Sequence, residues 1–325
     1  RVQNKAISFG VGEDLHQQQN KVSDAQMCQR CSAMFTYEYR QYGQLGTYSC
    51  PNCGFSRPDL DFAAKNAVFG NEITFDVEET ATGNHVSLRA QRAGVYMVDN
   101  VMAALASHVA GVSDEVFQQA VDLFDPQNGR LQSLTIQGRS VLLNLAKNPT
   151  GFNQNMKLIT QAPGKKVAAF FINDNEADGH DISWIWDCDF EELAEQEDVV
   201  VYAGGIRKND LALRLRYAGI EAQTINSVDE MVDAALAMPA DWNMYAIANY
   251  TSLPAVRSSL MARADKNKVD HATEGTSEPK RKIHACVQQE GVEALNENPL
   301  RIVHLFPDLM NIRSWRQCSR FGSAL

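Results

Sequence analysis

Three apolar runs decide the fold: VAAFFIND at residues 167–174, DVVVYAGG at 198–205 and NMYAIANY at 243–250. Each has the length and content of a buried strand. Between them lie helix-patterned stretches. FEELAEQE (190–197) is one and KNDLALRLRYAG (208–219) another, with Gly219 placed as the C′ glycine that stops it. EAQTIN (221–226) reads as a further strand, and SVDEMVDAALAM (227–238) as a helix capped by Ser227. Strands alternating with helices imply a parallel sheet with helices on both faces. The fold class is therefore α/β and Rossmann-like, without a Gly-x-Gly-x-x-Gly fingerprint.

Upstream, Gln132–Leu145 reads as two strands around a Gln137-Gly138 turn. NEITFDVE (71–78) and HVSLRA (85–90) are strand-like. They are followed by an apolar helix, VMAALASHVAG (101–111), and a second helix, SDEVFQQAVDLF (113–124), with Ser113 as N-cap. Further upstream, Cys28 and Cys31 form one Cys-x-x-Cys knuckle, Cys50 and Cys53 another. The segment between them, FTYEYRQYGQLGTYSC (35–50), alternates aromatic and polar residues around a Gly-x-x-Gly turn and reads as a β-hairpin. A hairpin joining two such knuckles brings four thiolates onto one cation. An S₄ set suits structural Zn²⁺ and leaves no open coordination position, so no chemistry is expected at the metal. Four free thiols or a redox pair are the alternatives.

The composition, 44% hydrophobic and 22% charged over 325 residues, is that of a globular protein with room for two domains. No run of 18 apolar residues occurs, so no transmembrane segment is expected. Of seven cysteines, four sit in the knuckles and three (Cys188, Cys286, Cys318) are scattered, which fits a reducing cytoplasm better than a disulfide framework. A formal charge of −10 argues against nucleic acid, whose phosphates need a surplus of Lys and Arg. The ribbon, residues 26–57, offers only Arg30, Arg40 and Arg57 as cations. Residues 262–298 are polar and read as a linker, after which RIVHLFPDLMNI (301–312) returns to an apolar strand pattern. The opening RVQNKAISFG lacks an initiator Met and reads as the middle of a strand, so a missing N-terminal part is expected.

Four features occur in order: the ribbon, GRLQSLTIQGRSVLLNLAKNPTGFNQN (129–155), NDNEADGHDISWIWDCDFEEL (173–193) and IANYTSLPAVR (247–257). Together they resemble the MurT subunits of lipid II isoglutaminyl synthase, a Mur-ligase family with a zinc ribbon inserted in its central domain. The resemblance covers roughly residues 1–260. It implies an organisation: residues 1–130 as the C-terminal part of a Mur-ligase central domain, 131–260 as a Rossmann-like C-terminal domain, and 261–298 as linker. Residues 299–325 resemble the start of a GatD-like glutaminase, and 313–325 leave that pattern, as a frameshift or gene-model error would produce.

The resemblance also implies a reaction. Such a ligase uses ATP and Mg²⁺ to activate the D-glutamate α-carboxylate of the peptidoglycan stem peptide on lipid II. A GatD-type glutaminase, subunit or fused domain, releases ammonia from glutamine with a Cys–His pair, and that ammonia attacks the acyl phosphate. The setting is cytoplasmic, at the inner face of the membrane. Asp181 matches the carboxylate lent to the partner's imidazole, a role that fixes a tautomer and stabilises the imidazolium. The bland reading is an Asp capping the turn before Ser183, and Asp174, Asp178, Asp187 and Asp189 crowd the same loop. Asn100 matches an asparagine near the adenine, against an Asn at a helix start. Arg130 matches a hinge arginine that neutralises phosphate, against an exposed hinge Arg. Lys147, after an apolar strand, suits a phosphate or acyl-phosphate oxygen, against a solvated strand-end lysine. Trp184 and Trp186 read as core and interface. The acidic run Glu191–Asp198 reads as a solvated helix face, and Arg207, Arg214 and Arg216 read as solvated, against a contact to the partner.

The sequence departs from the family at several places. His180 stands where Arg is usual, and Met97 and Asp99 replace Asn and Tyr. No Gly-x-x-x-x-Gly-Lys-[Ser/Thr] triphosphate cradle occurs in the 325 residues, so this stretch alone is not expected to turn over ATP. Two rival classes stand beside the ligase reading: a non-catalytic zinc-ribbon scaffold, and a nucleic-acid-binding ribbon protein.

Overall fold

Alternation of side chains builds the first sheet. A computed structural model describes residues 6–16, 26–41, 45–69, 72–91, 94–105, 111–124 and 129–265. The segment expected to resemble a glutaminase and most of the expected linker lie outside the described residues. Strand β1 (Phe9–Val11) is followed by the separate antiparallel hairpin β2 (Thr36–Arg40) and β3 (Gly46–Ser49). Then β4 (Phe62–Phe69), β5 (Glu72–Glu79) and β6 (Asn84–Gln91) complete a four-stranded sheet in the order β1-β4-β5-β6. Along β5, Ile73, Phe75 and Val77 are buried at every second position. Helices α1 (Val95–Ala104) and α2 (Asp114–Asp122) cover that face, packing Val98, Met102 and Phe117 onto it. Ser113 caps α2 by accepting from the Val116 amide. Helix α1 begins at Val95, six residues ahead of the apolar run that announced it, because Val95, Met97 and Val98 already face the core.

The second sheet carries the α/β signal. Its elements are β7 (Gln132–Ile136), β8 (Arg139–Leu145), α3 (Pro149–Gln161), β9 (Lys165–Phe171), α4 (Glu191–Ala194), β10 (Val199–Gly204), α5 (Lys208–Tyr217), β11 (Gln223–Thr224), α6 (Val228–Ala237), β12 (Trp242–Ala248) and α7 (Leu253–Arg263). Strand order is β11-β10-β9-β12-β8-β7. All neighbours are parallel except the β7–β8 hairpin, whose Gln137-Gly138 turn has both residues at positive φ, 48° and 78°. Helices α3, α4 and α5 pack one face through Phe152, Met156, Phe170, Phe190 and Leu211; α6 and α7 pack the other through Phe171, Met231, Val232 and Leu260. The doubly covered parallel sheet read from the sequence is the structure.

Local chemistry sets the ends of these elements. Helix α5 closes on Gly219 (φ 86°), with Ile220 N donating to Leu215 O at 2.9 Å and Gly219 N to Arg216 O at 3.0 Å. Ser227 accepts from Glu230 N at the start of α6. The eight-residue helix expected at 190–197 shrinks to the single turn α4, and the strand at 221–226 to the two residues of β11. Helix α7 runs through Arg263, so the first residues assigned to a linker are helical. Arg214, expected in solvent, is 4% exposed: its guanidinium fills the gap beneath the 183–188 turn, donating to Ile185 O, Cys188 O and Glu191. Burying that stem is tolerated because the head meets three oxygen acceptors. Arg207 likewise pairs with Asp174 instead of standing free.

The two sheets meet at residues 129–131. Gly129 (φ 77°) and Leu131 (φ 47°) turn the chain, and Gln132 Oε1 accepts from Gly129 N and from Arg257 Nε. Asn144, buried in β8, accepts from the Leu131 amide and donates to Asn155 of α3. It also holds the Tyr96 hydroxyl of α1, whose titration burial pushes up to about 12. Among the described residues no helix is long and apolar enough to cross a membrane.

Candidate functional site

Parallel α/β sheets bind ligands where adjacent strands send their following chains to opposite faces. Here that place is the carboxyl end of β12. Its chain continues into α7 on one face, while β8 and β9 on either side continue to the other face. A cleft of about 420 Å³ opens there, lined by Arg130, Leu145, Tyr250, Thr251, Leu253 and Pro254. Arg130 is exposed at its wall. Lys147 is also exposed and follows Leu145 by two residues at the same sheet edge, where Asn148 then caps α3 through the Gly151 amide. Asn100 lies elsewhere: it is half-buried inside α1, not at a helix start, with Nδ2 3.7 Å from Met97 Sδ.

The loop after β9 holds five aspartates and Glu176, and the structure sorts them. Asp174 accepts from Arg207 Nη2 at 2.5 Å, and that guanidinium holds its carboxyl below the usual range. Asp178 receives both the amide (2.9 Å) and the hydroxyl of Thr251. Asp189 is 3% exposed and exchanges two hydrogen bonds with Asn153 of α3, at 3.0 and 2.9 Å. Glu176, Asp181 and Asp187 are left at the surface. Asp181 Oδ1 accepts from Ser183 N at 2.8 Å, opening the 3₁₀ turn Ser183–Asp187, so the turn-capping role is present. The Ser183 amide and hydroxyl together lower its titration, keeping it an anion at neutral pH. His180 is exposed, its Nδ1 2.9 Å from Asp174 O.

Asparagines that drew no notice in the sequence tie this edge together. Asn249 Oδ1 accepts from Asn173 N and its Nδ2 donates to Asn173 O, while Asn173 Oδ1 accepts from Ile206 N. Three loops, after β9, β10 and β12, are thereby locked to one another. Thr251 joins the Asp181 loop to the cleft, since it lines the cleft and binds Asp178 three residues before Asp181. Asn and Thr in loops usually serve local turns, so only the fold could reveal these roles.

The four knuckle cysteines converge: their sulfurs all lie within 4.8 Å of one another, with Cys28–Cys53 at 3.5 Å and Cys31–Cys50 at 3.4 Å. A tetrahedral zinc–thiolate site with bonds of about 2.3 Å has sulfur–sulfur edges of about 3.8 Å, so the donor set fits. The Asn52 side chain and then the Ala33 amide lower the Cys31 thiol to about 6, while, against the Phe55 amide, burial and the neighbouring thiols raise Cys53 to about 12, as expected of clustered thiols that share protons. The ribbon's cations are engaged within the fold. Arg30 sits over Phe55 at 4.6 Å, Arg40 over Tyr37 at 3.9 Å, and Arg57 donates to Val11 O.

Architecture and site together define a Mur-ligase-type fold. The structure resembles a pseudomurein peptide ligase type C from Methanothermus fervidus (TM-score 0.52, 17% identity, 73% of this chain and 48% of that one). It also resembles MurF from Acinetobacter baumannii (TM-score 0.53, 18% identity, 63% and 46%). Within that class the relationship is narrower. Residues 145–253 match the family model for the MurT ligase C-terminal domain, and the chain is a homologue of the MurT subunits. Over 242 residues it is 32% identical to the lipid II isoglutaminyl synthase subunit MurT of Streptococcus pneumoniae, covering 73% of this chain and 53% of that protein. Against the Staphylococcus aureus subunit the identity is 29% over 258 residues, 78% and 57%. The chain spans little more than half the length of these relatives.

Proposed function

We propose that this chain is the central-to-C-terminal part of a ligase subunit of lipid II isoglutaminyl synthase. In this reading the whole enzyme activates the D-glutamate α-carboxylate of the stem peptide with ATP. Ammonia from a GatD-type glutaminase then converts the acyl phosphate to the amide. The reaction is cytoplasmic, on a lipid-linked substrate at the inner membrane face.

One observation carries the reading. Asp181 is an exposed carboxylate, anionic at neutral pH and braced by the Ser183 amide, in a loop whose Asp174, Asp178 and Asp189 are tied inward. A carboxylate that meets an imidazole on another surface must be exposed and anionic, and Asp181 is both while it caps its own turn. It would orient the ring and stabilise the imidazolium while the partner's cysteine attacks glutamine.

Within this chain, Arg130 at the cleft wall and Lys147 at the same sheet edge would offset phosphate charge on the activated carboxylate, and Asn100 is assigned to the nucleotide side. ATP with Mg²⁺ supplies the phosphoryl group that makes the carboxylate reactive. The triphosphate cradle is not among the 325 residues. Zinc on Cys28, Cys31, Cys50 and Cys53 would staple the ribbon and leave no position open for chemistry.

The test is Asp181→Asn in the full-length ligase with its glutaminase. Glutamine hydrolysis should fall by at least about a hundredfold, since an amide in place of a triad carboxylate disturbs the imidazole's tautomer. Amidation driven by added ammonium should persist. Unchanged hydrolysis removes this role from Asp181.

A further inference from the structure

Asn144 of β8 and Asn155 of α3 are 6% and 4% exposed, and neither lines the cleft. The Asn144 oxygen accepts from the amides of Leu131 and Leu145, both at 3.0 Å. Its nitrogen donates to Asn155 Oδ1 at 2.7 Å, and the same side chain holds the Tyr96 hydroxyl of α1. A side-chain amide has two donors and two acceptor sites, so these four partners saturate Asn144. Asn155 passes the connection on. Its Nδ2 donates to Gly151 O at 2.7 Å, and the Gly151 amide donates to Asn148 Oδ1 at 2.8 Å. Lys147 is the next residue back along the chain.

This line of bonds crosses the junction of the two sheets. Tyr96 belongs to a helix that covers the first sheet, Asn144 and Asn155 to the second sheet and its helix. Beside it, Leu142 and Leu158 of the second unit pack against the core of the first. Apolar contact holds surfaces together without regard to angle, whereas a hydrogen bond fixes distance and direction. Buried amides are costly unless paired, and both asparagines are paired at nitrogen and at oxygen. Cohesion alone would be served by leucines; amides at these positions add a defined orientation.

The ends of the relay say what the orientation serves. Asn100 follows Tyr96 by four residues, on the same side of α1. Lys147 stands at the other end, just ahead of the first turn of α3. The nucleotide side and the acyl-phosphate side of the proposed site are thereby tied through buried bonds.

We propose that Asn144, Asn155 and the Tyr96 hydroxyl are positioning residues, which set the two sheets at the orientation in which Asn100 and Lys147 serve one phosphoryl transfer. The proposal rests on the roles given to Asn100 and Lys147 above. The test uses the full-length ligase with its glutaminase, carrying Tyr96→Phe, Asn155→Ala, both together, or Lys147→Ala. Amidation of lipid II is driven by added ammonium and saturating ATP. Tyr96→Phe and Asn155→Ala should each lower kcat at least about tenfold, since a displacement of about 1 Å costs about a hundredfold. KM for lipid II and glutamine hydrolysis should both stay within about twofold of wild type. The double variant should fall no further than the worse single, because a relay broken at one link is already broken. In the ligase without nucleotide, amide hydrogen exchange at residues 129–131 should quicken at least about fivefold in both single variants, with β9 and β10 unchanged. Tyr96→Phe keeps the ring and decides alone if Asn155→Ala does not fold. Losses that multiply in the double variant mean two separate local defects and overturn the relay. Full kcat in Tyr96→Phe overturns it too, and if Lys147→Ala still loses amidation the site reading stands without it. Full amidation by Lys147→Ala removes the site the relay serves and overturns both.

Discussion

Substituting Gly129 by alanine tests whether the junction between the two sheets is as tightly built as its geometry indicates. Gly129 has φ 77°, and a Cβ there would fall 2.5 Å from Leu253 Cδ1 and 3.0 Å from both Cδ2 and Cγ. Leu253 is 9% exposed and packed into the α6–α7 face, so all three atoms cannot retreat together. Left-handed backbone costs an alanine about 1–2 kcal/mol, and overpacking a filled site about 1–3 kcal/mol. The loss of unfolded-state entropy returns about 0.4–1 kcal/mol. The net is a destabilisation of about 2–4 kcal/mol. Gly138 supplies the control, because its φ is 78° and nothing lies within 4 Å of its Cβ position. Gly138→Ala therefore carries the backbone cost alone and should lose about 1 kcal/mol or less after the entropic return. Urea unfolding of the two variants, with equal m-values, separates the contributions. Equal losses, within about 0.5 kcal/mol, would refute the packing argument.

Three further outcomes follow. Arg139, 8% exposed, donates to the carbonyls of Ala235, Leu236, Met238 and Pro239 and so closes the end of α6; Arg139→Lys keeps the charge but not the fork, and should cost at least about 2 kcal/mol in urea unfolding. Asp174 has its carboxyl titration lowered by Arg207, so its contribution to stability is full above its unfolded value of about 3.9 and is lost as pH falls through the lower folded value. Asp174→Asn should accordingly flatten the acid limb of a stability–pH curve below about pH 4 and leave its shape at neutral pH unchanged. Purified protein should release about one zinc per chain to a chromogenic chelator after thiol blocking, and Cys31→Ser should abolish that release; full zinc content in the serine variant would exclude the four-thiolate site.

The sequence made the architecture legible where periodicity was strong and hid it where tertiary contacts decide. Strands β9, β10 and β12 are continuous apolar runs because both their faces are covered, and that pattern is unambiguous. Caps at Ser113, Ser227 and Gly219 were visible because they depend on one side chain and its own backbone. Strand β4, FAAKNAVF, was missed because its pairing with β5 slips between Lys65 and Val68, breaking the alternation. Helix α3 starts with Pro149 and carries Asn153, Gln154 and Asn155 on buried positions, so its polarity conceals it. For the candidate site, the four cysteines were legible from spacing, since ligand geometry constrains spacing. The division of labour among the five aspartates was not, because it rests on partners such as Arg207, Thr251 and Asn153 that come from other elements. The burial of Arg214 was hidden for the same reason: its acceptors are backbone carbonyls more than twenty residues away.

The most direct measurement of the central claim is amidation itself. The full-length ligase should be combined with its glutaminase, ATP, lipid II and glutamine labelled in the amide nitrogen, and the stem peptide read by mass spectrometry. Label is expected in a new α-amide on D-glutamate, dependent on both proteins and on ATP. An unmodified stem peptide under conditions in which both proteins are folded, zinc-loaded and bound to each other would contradict it.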